Sequence, residues 1–321
     1  MKPKRIVVVG GGSGSYNILK GLKEYSKKGL IELTAIVAMT DSGGSSGQLM
    51  DEFGFLPPGD LRRCLVALSD ETEIMKKLFQ HRFESNGNLN DHSVGNLFIT
   101  ALTQITGNEN EAIKEAHKIL KVNGKIIPVT LEKTTLVATL EDNEKVIGET
   151  NIDLPRKSSN KKIISIMVEP KAKANPEAIR EIKKADFIII GPGDLYTSII
   201  ANLVIGEISK SICESKAKKI YISNIMTKFG ETNNFTLENH LSELEKYLKK
   251  NCIDLIVYNN SKIPAALLAK YKKENAQQVE FQKNLPKSKF VGIDLVTSND
   301  IARHNPKKIG KVLMKIIRTT D

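Results

Sequence analysis

The chain has 321 residues, 40% hydrophobic and 26% charged, with a formal net charge of +11, a pI near 9.3, three cysteines and no tryptophan. These are the proportions of a soluble globular protein, and no uninterrupted apolar run approaches the roughly 18 residues of a membrane helix. The lysines are dispersed, as in Lys114 and Lys118, Lys183-Lys184 and Lys249-Lys250, and aromatics make up only 5%. No aromatic-basic platform for a single strand is present, so neither nucleic acid nor membrane insertion is expected, and the lysines read as solvated helix faces.

No charged-then-apolar leader opens the chain at Met1. Cys64, Cys213 and Cys252 have no metal-type spacing, and they are expected to be buried reduced thiols in a cytoplasmic protein.

Arg5 to Val9 reads as a short buried strand running into Gly10-Gly-Gly-Ser-Gly-Ser15. A helix with Ile18, Leu19 and Leu22 on one face follows, and then a second strand, Leu33 to Met39. That βαβ opening predicts a parallel, doubly wound sheet. Gly11, Gly12 and Ser13 would bring backbone N–H groups and a helix N-terminus against a phosphate. The alternative is a turn that merely lets helix and strand pack closely. The G-x-G-x-x-G pattern is incomplete because Ser15 takes the place of its third glycine. The acidic residue expected about twenty residues on is missing. NAD binding is therefore disfavoured, and the lack of a following G-K-[ST] excludes a Walker loop.

The stretch Thr40 to Asp60 holds five glycines, two prolines and three serines between an apolar strand and a helix. It reads as a phosphate-handling loop in which Thr40, Asp41, Gly43, Gly44 and Ser45 form an anion cradle. Asp60 is expected to cap the following helix, whose apolar positions are Leu61, Cys64, Leu65 and Leu68. Further helices are predicted over Glu73–Phe83, Ser93–Leu102 and Asn110–Leu120. His92 and Asn96 stand one turn apart at the mouth of the Ser93–Leu102 helix and could share a pocket. A cap or surface role serves His92 equally well.

From Lys125 to Asn151 the pattern alternates as in a small β meander, followed by a solvated loop over Arg156–Lys162 and a strand over Ile163–Val168. Asn175-Pro-Glu is a helix start. Ala185 to Ile190 is a buried strand ending in a second glycine loop, Gly191-Pro-Gly-Asp-Leu-Tyr-Thr-Ser198, which offers Gly193, Asp194 and Thr197. The next strand, Lys219 to Ser223, delivers Asn224 and Thr227, and Ile253 to Tyr258 is another. Asn305-Pro306 is a cap signature, and Arg303 beside it either reaches a phosphate bidentately or is a surface residue.

The expected fold is one Rossmann-like, doubly wound α/β unit over residues 1–321, with a mostly parallel sheet. Its strands lie near Arg5, Leu33, Ala185, Lys219 and Ile253, and a β-rich insert lies near residues 125–168. Asp41, Asp60 and Asp194 are the carboxylates at glycine loops that could hold Mg²⁺. No catalytic residue is assigned. The oligomeric state is left open, a homo-oligomer being compatible with the chain.

Seven motifs in order give the chain a family resemblance. They are Gly10-Gly-Gly-Ser-Gly14, Thr40-Asp-Ser-Gly-Gly-Ser-Ser-Gly47, Pro57-Pro-Gly-Asp-Leu-Arg62, His92-Ser-Val-Gly-Asn96, Gly191 to Ser198, Asn224-Ile-Met-Thr227 with Gly230-Glu-Thr232, and Arg303-His304. Over nearly its whole length the chain resembles the gluconeogenesis factor family (YvcK-like proteins), relatives of the 2-phospho-L-lactate transferase (CofD) group. It departs from that family's usual pattern at Gln48 (Arg), Asp194 (Ser), Ala201 (Pro) and Asn305 (Asp). Asp194 adds negative charge beside a proposed phosphate loop, which either recruits a cation or weakens an anion site.

The resemblance implies a cytoplasmic protein that binds UDP-sugars, notably UDP-N-acetylglucosamine, with UDP-glucose as the alternative. It also implies a role in cell shape and cell-wall synthesis during gluconeogenic growth. The alternative is a transferase that moves a phosphorylated three-carbon acid from a nucleotide diphosphate donor.

Overall fold

The computed structural model describes residues 2–154, 160–281, 289–297 and 301–319. Most of the loop expected over Arg156–Lys162 lies outside the described residues. The strands are β1 (Lys4–Gly10), β2 (Ile31–Val37), β3 (Lys125–Pro128), β4 (Thr135–Leu140), β5 (Lys145–Ile147), β6 (Ile163–Glu169), β7 (Phe187–Ile190), β8 (Lys218–Ile222), β9 (Leu255–Asn259) and β10 (Phe290–Ile293). The first helices are α1 (Gly12–Lys27), α2 (Gly44–Phe53), α3 (Gly59–Leu68), α4 (Glu73–Gln80), α5 (Val94–Thr106), α6 (Glu109–Ile119), α7 (Glu149–Asp153) and α8 (Pro176–Lys184). A π-helical turn (Leu195–Ile200) continues into α9 (Ala201–Leu203), and α10 (Ile208–Glu214), α11 (Leu237–Tyr247), α12 (Ala265–Lys273) and α13 (Pro306–Arg318) complete the chain.

One seven-stranded sheet runs β10-β9-β8-β7-β1-β2-β3, and every pairing in it is parallel. The chain builds outward from β1 to β3 on one side, then returns to lay β7 on the other side of β1. Val9 pairs with Ile190 there. The carboxyl ends of β1 and β7 thus form a topological switch point, where open α/β sheets place their ligands.

Sequence periodicity accounts for the core. Ile6, Val8 and Val9 of β1 and Ile18, Leu19 and Leu22 of α1 are fully buried against one another's layers. At about 25 cal/mol per Å² of apolar surface removed from water, this layer supplies much of the folding drive. Asn175 caps α8 by accepting from Glu177 N–H at 2.9 Å. Asn305 caps α13 by accepting from Lys307 and Lys308 N–H at 2.9 and 3.2 Å, so it fills the position with the chemistry an Asp would bring. Helices α1 and α13 cross at Gly21 and Gly310, where a Cβ on either would overlap the other helix's backbone.

Four expectations are corrected. First, β3 belongs to the edge of the main sheet beside β2, and only β4, β5 and β6 form the separate antiparallel sheet, in the order β5-β4-β6. An apolar run predicts a strand but not its partner.

Second, the glycine- and serine-rich stretch is helical from Gly44. Ser46 and Gly47 N–H groups donate back to the Gly43 carbonyl at 3.0 and 3.1 Å. Low helix propensity is overridden by burial of Ser45, Ser46 and Leu49. Third, Asp60 is a first-turn residue of α3 and not its cap, since Pro58 holds that position. Fourth, Cys213 and Cys252 form a disulfide with Cα atoms 5.4 Å apart, while Cys64 is a buried free thiol.

Candidate functional site

A cleft of two connected chambers opens above the switch point. The larger, of about 710 Å³, is lined by the apolar Met226, Phe229, Tyr271 and Ala276 together with Asn224, Lys228 and Arg303. The smaller, of about 400 Å³, is lined by Asp41, Asp60, Glu149 and Arg62, Arg63 and Arg82. Ser13, Gly14, Asp153, Leu154, Gly193 and Asp194 line both and form the seam between them.

The first glycine turn faces this cleft only in part. Gly11 and Gly12 are buried, and a Cβ on Gly12 would overlap the Asp60 carboxylate. Gly12 N–H donates to that carboxylate, so Asp60 supplies the negative charge that the N-terminus of α1 favours. Ser13 is exposed and lines both chambers. Burial and the nearby Asp41 push the Asp60 carboxyl up to about 6, against the opposing pull of Arg63 and of the Gly12 N–H. Arg63 Nη1 stands 3.3 Å from Asp60 Oδ1.

The stretch at the start of α2 divides in two. Asp41, Gly43 and Gly44 line the smaller chamber, and Asp41 Oδ1 accepts from Gly43 N–H at 3.0 Å. Gly44 has φ +44°, a left-handed conformation that glycine adopts without cost. Ser45 instead points inward. Its Oγ stands 3.0 Å from His92 Nδ1 and accepts from Asn96 Nδ2 at 3.1 Å. Asn96 Oδ1 accepts from Arg62 Nε at 2.8 Å.

His92 and Asn96 are therefore brought together with Ser45, but as a buried network behind the chamber wall that presents Arg62 to it. Thr40 is also buried, with its hydroxyl lacking a partner among the described residues.

The second turn lies at the seam. Gly191 has φ +74°, and Asn224 Nδ2 donates to the Gly193 carbonyl at 2.8 Å. Asn224 Oδ1 is buried and has no partner among the described residues. Thr197 is buried and lines the smaller chamber, and its hydroxyl has no partner among the described residues. Thr227 is tied to the segment before β10, its Oγ1 accepting from Gln277 N–H at 2.9 Å. Arg303 is exposed at the mouth of the larger chamber.

Asp194 has recruited a cation: Lys228 Nζ stands 2.9 Å from its Oδ2, 3.1 Å from Glu231 Oε1, and against Asp153 Oδ1. Asp153, Asp194 and Glu231 are grouped closely enough to ligate a metal, but the Lys228 ammonium already pairs with all three. Burial raises the Glu231 carboxyl to about 8. It also favours the neutral form of Lys228, but Glu231, Asp194 and Asp153 outweigh it and hold the ammonium charged.

Sequence reasoning missed Lys228, Asp153, Glu149 and Arg62. The last lay inside a quoted motif, Pro57 to Arg62, which was the available signal. The others reach the cleft through non-local packing of α7 and of the segment after β8, for which no local pattern exists. Glu149 is raised to about 8 by burial first, then by Asp41, Asp153 and Asp60.

Residues 6–299 match the family described as 2-phospho-L-lactate transferase CofD. The chain is 38% identical to the gluconeogenesis factor of Bacillus subtilis, covering 99% of each protein. It is 42% identical to an Aquifex aeolicus protein provisionally given the same name, over 99% of this chain and 98% of that one. A crystal structure of a Bacillus halodurans protein superposes with a TM-score of 0.91 at 38% identity, covering 97% of this chain and 99% of the other. The chain belongs to the CofD family, among its gluconeogenesis factors.

Proposed function

We propose that the cleft binds a nucleotide sugar of the UDP-N-acetylglucosamine type and that the protein acts as a cytoplasmic regulator of cell shape during gluconeogenic growth. The observation that carries this reading is the pair of glycine turns at the switch point, set between a chamber of mixed lining and a charged one. The larger chamber has the size and mixed lining of a small-molecule site and takes the nucleoside. The diphosphate lies over Ser13, Gly14 and Gly193, near the N-terminus of α1. The sugar extends toward Asp41, Thr197 and Arg62.

Asp41 and Asp60 fit a Mg²⁺ ion, since each like-charged carboxylate is relieved by a cation between them. The ion would neutralise phosphate oxygens. Asp194 does not serve this purpose, because Lys228 occupies it. A second copy of the chain is the only macromolecular partner proposed.

The test is prolonged incubation with UDP-N-acetylglucosamine and Mg²⁺, followed by thermal unfolding and analysis of the ligand. A raised midpoint with intact ligand supports a binding regulator. Consumption of the ligand favours the transferase reading, and no change in midpoint overturns the nucleotide-sugar assignment.

A further inference from the structure

Asp153 and Asp194 each line both chambers, so the bridge from Asp153 through Lys228 to Asp194 crosses the opening between them. The backbone of Lys228 is pinned: its N–H donates to Thr232 Oγ1 at 2.9 Å and its carbonyl accepts from Thr232 N–H at 2.8 Å. Its ammonium sits at the end of a flexible four-carbon stem and is held by the three carboxylates. Asp194 is itself fixed, since its carbonyl accepts from Ser198 and Ile199 N–H at 3.0 and 3.1 Å. Asp153 comes from α7, a helix of five residues between β5 and β6.

The charges at the seam are unbalanced. Three carboxylates, those of Asp153, Asp194 and Glu231, face one ammonium, and burial raises the Glu231 carboxyl to about 8. In the smaller chamber Arg62, Arg63 and Arg82 are committed to Asn96, Asp60 and Asp91. A diphosphate arriving at the seam therefore finds Lys228 as the cation with a surplus of acceptors. Exchanging one carboxylate for a phosphate oxygen leaves the ammonium paired throughout.

We propose that Lys228 is a ligand-contacting gate residue: its ammonium leaves Asp153 for the phosphate oxygens of a bound diphosphate while keeping Asp194, and this joins the two chambers. The proposal rests on the reading of the cleft as a diphosphate site but not on the identity of the nucleoside. It makes Asp153 a competitor of the ligand and Asp194 a holder. The Asp194 departure from the family pattern thereby becomes part of a three-residue device.

The test measures binding of inorganic pyrophosphate and of UDP-N-acetylglucosamine by calorimetry. The proteins are the parent, Lys228→Met, Asp153→Asn and the double variant Asp153→Asn/Lys228→Met, with thermal unfolding to confirm that each is folded. Asp153→Asn should bind pyrophosphate several-fold more tightly. The double variant carries the same net charge as the parent at this seam, yet should bind roughly ten- to hundredfold more weakly, the loss of a hydrogen bond to a charged group.

Parent-like affinity in the folded double variant overturns the proposal, because Lys228 would then act only by neutralising carboxylates. Pyrophosphate binding with this pattern but no response to UDP-N-acetylglucosamine supports the Lys228 role and removes the nucleotide-sugar reading. Equal UDP-N-acetylglucosamine binding by the parent and the double variant does the reverse.

Discussion

The turn after β1 and the turn after β7 lie side by side at one edge of the sheet, and both read in the sequence as glycine loops before a helix. In the first, the glycines are demanded by space. A Cβ on Gly14 would overlap the Pro192 carbonyl of the second turn, and one on Gly12 would overlap Asp60. In the second, Gly191 is demanded by backbone conformation, at φ +74°. The same letters thus serve close packing in one turn and chain reversal in the other. A glycine-rich signature identifies where backbones approach one another before it identifies what they bind.

The largest expected effect breaks the first turn. Gly14→Ala drives a Cβ into backbone rather than into a side chain that can yield, so it should destabilise the fold by about 3 kcal/mol or more. A denaturant midpoint equal to the parent's would show that the two turns do not support each other.

Arg303→Ala addresses the ligand side alone. UDP-N-acetylglucosamine affinity should fall by roughly 1.5–3 kcal/mol, with an unchanged unfolding midpoint because Arg303 is exposed at the mouth of the larger chamber. Equal losses of binding and stability would make it a structural residue instead.

Gly44→Val tests the third glycine-bearing edge of the cleft. Its φ of +44° should cost a branched residue about 1–2 kcal/mol, and binding should fall more than stability if the start of α2 faces the ligand. Calorimetry beside circular dichroism separates the two. Undiminished affinity in a folded variant would remove α2 from the site.

The smallest effect concerns pH. The Glu149 carboxyl is raised from 4.5 to about 8, so folding favours its protonated form. That contribution is complete below about pH 4.5 and is lost as pH rises toward 8. Glu149→Gln should therefore raise the melting midpoint at pH 8 and leave it nearly unchanged at pH 4.5. The opposite order would mean that the carboxylate is stabilised in the folded state.

Legibility followed the range of the interactions. The faces of α1 and α3, the caps at Asn175 and Asn305, and five strands of the main sheet could be read because each depends on residues a few positions apart. The edge position of β3, the pairing of Cys213 with Cys252 and the meeting of Asp153, Asp194 and Lys228 depend on chain segments that only the tertiary fold brings together. Ser45 was read as part of the anion cradle, and His92 and Asn96 as neighbours at a helix mouth. Their direction could not be read, because inward and outward hydroxyls have the same spacing in a sequence. The start of α2 was misjudged as loop because its composition argues against helix until its buried face is known.

The placement of β1 at the centre of the sheet has a consequence for synthesis. A nascent chain ending after β6 carries the first glycine turn, α2 and the His92 network, yet lacks β7, the second turn and Lys228. Its α1 also awaits the crossing with α13 at Gly21 and Gly310. Contacts this distant in sequence form late and slowly, so ligand competence should appear only once nearly the entire chain has been made. Until then the exposed edge of β1 is a surface for aggregation. The cleft is lined by segments far apart in sequence, from the turn after β1 to the entry of α13, so a fragment that ends after β6 lacks much of its wall.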